Sequence, residues 1–217
     1  MAMCLSVAPE AGEPKWTHQQ NKSCCIVCAG RHQAYLAAGT INIEDHPLLI
    51  AFGGLPGTGK TTLAKAVAKR YSAVYLRIDT IEMAIRTTEM LREDIGPAGY
   101  VVAYWVAEEN LRLGHVVVAD SVNPLQITRE SWSLVARNAG VPLVEVEVLC
   151  SDPLEHRRRI ESKTPDLEGL PPLTWASVCH RTYEEWSAPH LVIDTAGKSV
   201  PETEQELIDR LSAVGHL

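Results

Sequence analysis

The chain has 217 residues, 46% apolar and 22% charged, which suits one α/β domain with an appendage and excludes wholesale disorder. Its 27 acidic against 20 basic residues give a net charge of −7, which speaks against a general nucleic-acid binder. No apolar run approaches the roughly 20 residues of a membrane span.

Residues 1–46 read as an N-terminal extension, partly disordered, with Pro9, Pro14 and a polar stretch from His18 to Ser23. A short helix is expected near Gln33–Ala38. Cys4, Cys24, Cys25 and Cys28 fall here, while Cys150 and Cys179 lie far away. Cys25-x-x-Cys28 with His32 has one half of a zinc spacing but no matching second half. The N-terminus lacks a basic region followed by an apolar core, so reduced cysteines and a cytoplasmic protein are expected.

From Pro47 the pattern changes. Leu48–Phe52 is a continuous apolar run, as expected of a strand buried on both faces. A glycine-rich turn leads to a helix over Thr62–Tyr71. Ala73–Ile78 reads as a strand ending at Asp79. Thr80–Arg92 and Tyr100–Leu113 read as helices, with Gly96-Pro97 between them. Val116–Ala119 is a buried strand ending at Asp120. Gln126–Asn138 is a helix stopped by Gly140, and Leu143–Leu149 is a strand. Pro153–Glu161 is a basic helix with Asp152 as N-cap. A loop over Lys163–Pro172, a helix over Thr174–Trp186, a strand at Leu191–Ile193 and a closing helix over Glu202–Val214 complete the chain. Such alternation implies a parallel sheet with helices on both faces.

Gly54-Leu55-Pro56-Gly57-Thr58-Gly59-Lys60-Thr61 fits G-x-x-x-x-G-K-[ST] in full, between a buried strand and a helix. Glycines let the backbone wrap a phosphate without Cβ clashes, and the N–H groups of Gly57, Thr58 and Gly59 converge on it with a helix N-terminus. Lys60 brings a point charge to the β- and γ-oxygens. Thr61 offers a hydroxyl to Mg²⁺, and Thr62 can donate to the α-phosphate.

These segments resemble the P-loop kinases, in particular the small kinases grouped with AAA-family ATPases. Chloramphenicol phosphotransferase, zeta toxin, gluconate kinase and the kinase domain of polynucleotide kinase are similar. The resemblance covers residues 47–217. It rests on residues 50–64, on "LRID" (76–79), on "VVVADSVNP" (116–124), on the basic segment 151–163 and on "HLVIDTA" (190–196). It implies a P-loop three-layer sandwich, a five-stranded parallel sheet of order 2-3-1-4-5, a lid around 153–172 and ATP-dependent phosphoryl transfer.

Within that resemblance Asp79 is expected to orient or deprotonate an acceptor hydroxyl, although an Asp here also suits an N-cap. Asp120 is expected to serve Mg²⁺ or the acceptor, against the plainer reading of a strand-end turn. Asn123 and Arg86 are further acceptor-side candidates, with Arg77 and Arg129 weaker ones. Arg157, Arg158 and Arg159 are candidates for binding nucleotide or transferred phosphoryl, with the choice between Arg158 and Arg159 open. Asp194-Thr195-Ala196 is expected beside the adenine. Tyr100, Tyr104 and Trp105 read as packing residues.

The expected function is transfer of the ATP γ-phosphate to a hydroxyl of a small molecule such as a sugar, antibiotic or other metabolite. A nucleotide-binding regulator or toxin-type module, and a polynucleotide 5′-kinase, are the alternatives. Residues 1–46 carry a net −1, so the kinase part carries −6, which favours a small acceptor over a polyanion.

Overall fold

The structure is a computed structural model describing residues 46–88, 95–162, 164 and 172–214. The expectations for residues 1–45, with their cysteines, for the 89–92 end of the helix expected over Thr80–Arg92, for Lys163 and for 165–171 of the lid lie outside the described residues.

Five strands form one parallel sheet in the order β2-β3-β1-β4-β5. They are β1 (Leu49–Gly53), β2 (Val74–Arg77), β3 (Val117–Asp120), β4 (Leu143–Leu149) and β5 (Leu191–Asp194). Every residue of β1 is buried, because the strand lies mid-sheet between β3 and β4 with helices on both faces. The expected fold class and strand order are both found.

The two-residue period of the strands sorts the core into two layers. Ile50, Phe52, Val118, Val146, Val148 and Ile193 face α1 (Lys60–Arg70) and the closing helix α7 (Val200–Val214). Leu49, Ala51, Val117 and Ala119 face the other way, onto α2 (Ile78–Thr87), α3 (Ala98–Arg112) and α4 (Gln126–Ala139). The largest fully buried side chain, Trp132 of α4, packs edge-on against Tyr104 of α3 at 4.6 Å between centroids. Chains of this kind place every strand's carboxyl end, and with it the chemistry, along one sheet edge.

Three expectations need correction. The second strand stops at Arg77, and Ile78 already begins α2, so Asp79 sits in the first turn of a helix and not at a strand end. Trp105, expected to pack, is 69% exposed, because it lies on the outer side of α3 while Ala103, Ala107 and Leu111 make the inner stripe. The helix expected over Thr174–Trp186 exists only as α6 (Trp175–Cys179), held at its start by a Thr174–Ser177 capping box. Beyond it the chain runs as an irregular strap to β5.

The reason lies in α4. The Arg129 guanidinium donates to the carbonyls of Glu184 (2.6 Å) and Glu185 (2.9 Å), and to those of Asn123 and Pro124 in the loop before its own helix. It also lies 4.3 Å from the centre of the Trp186 ring. These tertiary bonds hold the strap in a non-helical course that its local sequence does not predict.

Beneath the strap, β4 carries two glutamates on one face. Glu147 accepts from Tyr183 (2.9 Å) and from His190 Nε2 (3.2 Å). Glu145 is buried and its Oε1 has no hydrogen-bond partner, so burial pushes its carboxyl above the usual range despite His190 and Arg129. The folded state then holds this proton more tightly than the unfolded chain. Stability is therefore expected to fall as pH rises from the ordinary carboxylate range through the raised value. Urea midpoints measured across pH should show this decline, and Glu145→Gln should flatten it. An unchanged slope in the variant would assign the decline to other groups.

Candidate active site

The turn between β1 and α1 lies at the carboxyl edge of the sheet. Leu55, Pro56, Gly57 and Thr58 form a β-turn closed by Thr58 N to Leu55 O at 3.4 Å, with Gly57 at φ +85°. Pro at the second position and a positive-φ Gly at the third are what a type II turn requires. Gly54, at φ +135°, lies against the Val148 carbonyl, where any Cβ would collide with backbone. The turn is thus set by glycine-only geometry, and its start is tied to the neighbouring loop by Gly54 N to Val122 O at 3.0 Å.

Gly59 caps α1 and offers no side-chain oxygen to the first helical N–H groups. Those groups, with the helix dipole, favour an anion at this point. Lys60 opens the helix and is buried, Thr61 is half-buried and Thr62 is exposed. The expected phosphate-cradle residues thus lie together on one continuous turn.

Asp79 and Asp120 are joined by one buried cation. Arg77 Nη2 lies 3.3 Å from Asp79 Oδ2, and its Nε lies 4.0 Å from Asp120 Oδ2. The Asp79 side chain is 40% exposed, whereas that of Asp120 is 1% exposed. Tyr75 donates to Asp120 at 2.7 Å. Val118 faces α1, and Asp120 follows it by two residues on that same side of β3. One carboxylate is therefore open to a ligand, and the other is fixed on the side of the sheet that carries the turn and α1.

Asn123 follows in the loop after β3. Its backbone N–H donates to the Tyr100 hydroxyl at 3.1 Å, and its side chain is wholly buried with neither amide atom hydrogen-bonded. Burial raises the Tyr100 phenol above its ordinary value. The Trp186 ring packs directly against Gly53 beside Asn123. Arg86 lies exposed in the last turn of α2, two turns or about 10 Å along the helix from Asp79. Arg129, a weaker acceptor candidate, is spent on the strap carbonyls.

The three consecutive arginines of α5 (Pro153–Ser162) part company. Asp152 caps this helix, as expected, accepting from Leu154 and Glu155 N–H. Arg157 pairs with Glu161 at 2.7 Å in solvent. Arg158 is 76% exposed. Arg159 turns inward, donating to Thr195 Oγ1 (2.7 Å), Thr195 O (3.0 Å) and Glu155 (2.6 Å). Thr195 Oγ1 in turn donates to the Thr58 carbonyl at 2.9 Å. Gly197 N–H, and after it Arg159, hold the Glu155 carboxyl below its usual range. A chain of bonds thus runs from α5 through the 195–197 turn to the phosphate-binding turn.

Several residues of this arrangement were not legible as site residues in the sequence. Tyr75 and Trp186 carry no motif. His156 lies inside a run of charged residues that reads as a solvated face. Only the tertiary contacts bring these side chains to the site. Among the described residues no group of three or more His, Cys, Asp or Glu side chains is arranged to hold a metal, and no helix is long and apolar enough to cross a membrane.

A complete phosphate-binding turn, a 2-3-1-4-5 parallel sheet and an acidic pair at its carboxyl edge define a P-loop kinase fold. The AAA-domain family matches residues 49–168, more than half of the chain, and the chain belongs to that family. The fold is similar to that of the APS kinase of Mycobacterium tuberculosis, solved in complex with AMPPNP and APS. The TM-score is 0.58 at 22% identity, covering 76% of this chain and 98% of that one. A gluconokinase from Sinorhizobium meliloti is similar at TM-score 0.56 and 17% identity, covering 79% and 95%. The tunicamycin resistance protein of Deinococcus radiodurans is similar at TM-score 0.52 and 12% identity, covering 76% and 95%. No curated protein sequence matches the chain.

Proposed function

We propose that the protein is a cytoplasmic ATP-dependent phosphotransferase acting on a hydroxyl of a small molecule, with residues 47–217 as its kinase domain. The observation that carries this reading is the pairing of an open Asp79 carboxylate, oriented by buried Arg77, with a complete phosphate cradle at the same sheet edge. A carboxylate on the acceptor side of the cradle can hold an attacking hydroxyl and take its proton.

In this mechanism the amides of residues 57–62 and the Lys60 ammonium bind the β- and γ-phosphates. Asp79 accepts a hydrogen bond from the acceptor hydroxyl and takes its proton late in transfer. The acceptor oxygen bonds to the γ-phosphorus as the bond to the β,γ-bridging oxygen breaks, and ADP leaves. Thr61 and Asp120 would hold Mg²⁺, which supplies positive charge against the phosphates. Asp120 is suited to this by its position on the α1 side, although Tyr75 and Arg77 already engage its Oδ2. Arg158, 76% exposed with Nη2 4.0 Å from Glu155, meets the charge that spreads over the transferred group. Arg159 shapes the 195–197 turn that, with Arg157, receives the adenine end. Asn123 and Arg86 contact the acceptor.

The test is acceptor-dependent ADP release from ATP across sugars, aminoglycosides and other polyols, and a 5′-hydroxyl oligonucleotide, with the phosphorylated product identified. Asp79→Asn is expected to lower kcat about 10²-fold or more and to change ATP affinity less than threefold. Full turnover by Asp79→Asn with the same acceptor would remove the proton-acceptor assignment. ATP binding without phosphorylation of any panel member would favour a nucleotide-dependent regulator.

A further inference from the structure

The phosphate-binding turn is fastened from outside by a histidine. His156, in the second turn of α5, is 6% exposed, and its Nε2 lies 2.8 Å from the Pro56 carbonyl oxygen. A carbonyl only accepts, so Nε2 carries the proton of this bond. The imidazole is set by Trp175 of α6, edge-on at 5.2 Å and 80°. Ile160, one turn further along α5, and His156 cover the same face of Gly57. A Cβ at Gly57 would lie 2.5 Å from Ile160 Cδ1 and 3.3 Å from His156 Cδ2.

Pro56 O belongs to the central peptide of the type II turn. Types I and II differ by a half-turn of that one peptide plane, and Gly57 has no side chain to forbid the motion. The peptide is trans, so its C=O and N–H point in opposite directions. With Pro56 O bound to His156 of α5, the Gly57 N–H points away from α5. The flipped plane would instead aim a carbonyl dipole at the phosphate, where it would repel the anion.

We propose that His156 is a positioning residue: it locks the Pro56–Gly57 peptide with its N–H toward the β- and γ-phosphates. This rests on the reading of residues 54–62 as the nucleotide site, and it makes the lid-bearing helix part of the phosphate site's geometry. His156 touches no reacting atom.

The test uses the full-length protein and two variants. His156→Phe keeps an aromatic ring against Trp175 and Gly57 but cannot donate. His156→Gln keeps a donor. Dissociation constants are measured for ATP with Mg²⁺ and for AMP, with thermal midpoints alongside. ATP affinity is expected to fall about tenfold in His156→Phe, the effect of one charge-assisted bond, and to return within threefold of wild type in His156→Gln. AMP affinity, which does not use the β- and γ-phosphates, is expected to stay level in both. Unchanged ATP affinity in His156→Phe would overturn the proposal. So would equal losses of ATP and AMP affinity, which mark a general structural effect, or a folded His156→Gln as weak as His156→Phe. A wild-type protein that binds no ATP would overturn the nucleotide reading itself, an outcome distinct from all of these.

Discussion

Lys60→Ala is expected to lower ATP-dependent turnover by about 10³-fold while leaving the fold intact. Lys60 is the first residue of α1 and is 8% exposed, so its side chain starts at the helix N-terminus beside the glycine-rich turn. A preorganised donor aimed at developing phosphate charge in a partly water-excluded site contributes roughly 10²–10³ in rate, and a full positive charge raises that figure. Alanine is the best helix former, so α1 is retained. Lys60→Arg is not expected to rescue activity, because the planar guanidinium does not occupy the space of a compact ammonium on a four-carbon stem. The measurement is kcat/KM for ATP with an identified acceptor, with the thermal midpoint as control. Activity within tenfold of wild type would remove Lys60 from the phosphate site.

The second large effect is on stability. Arg129→Leu is expected to destabilise the protein by about 3 kcal/mol. Arg129 is 6% exposed and donates to four backbone carbonyls on two segments far apart in sequence. Removing it takes the guanidinium donor from all four carbonyls, of which Pro124 O keeps the Glu184 N–H at 2.8 Å, and strips the cation from the Trp186 face. Solvent can reach the Glu184 and Glu185 side of the strap, which keeps the cost below that of a fully enclosed charge. For a domain of this size the thermal midpoint should drop by about 6–12 °C, and limited proteolysis should cut first between residues 180 and 190. A change below about 1 kcal/mol would mean that water replaces the guanidinium without loss. The same variant tests the site indirectly, since the strap carries the Trp186 ring that lies against Gly53.

Most of the fold was legible because its signals are local. The continuous apolar run Leu49–Phe52 identifies a strand buried on both faces, and the strand–helix alternation that follows specifies a parallel sheet. The conformation of the glycine-rich turn was legible, since its glycines answer to backbone geometry that the segment itself imposes. What misled was the stretch after Thr174. Its helical propensity is real over Trp175–Cys179, but Arg129, some 50 residues earlier, binds the Glu184 and Glu185 carbonyls and stacks on Trp186, which ties the following segment in a non-helical course. Trp105 misled for a related reason. The side of α3 that faces the core is made by small residues, Ala103 and Ala107, and the large ring turns outward.

The sequence by itself determined the class of the molecule: a P-loop on a parallel α/β sheet, with acidic residues near its carboxyl edge and an arginine-rich helix behind. Adjacent residues suffice for those features, because spacing, glycine content and apolar period act within a few residues of each other. Only the tertiary structure decided which charged groups are free to act. Arg157, Arg158 and Arg159 are neighbours in sequence, yet successive helical residues turn by about 100°. One therefore meets Glu161, one faces solvent and one reaches Thr195. Asp79 and Asp120 read alike in the chain, but burial and the Tyr75 hydrogen bond fix Asp120, while Asp79, paired with Arg77, stays 40% exposed. Burial, direction and partner choice arise between segments distant in sequence, and no local pattern encodes them.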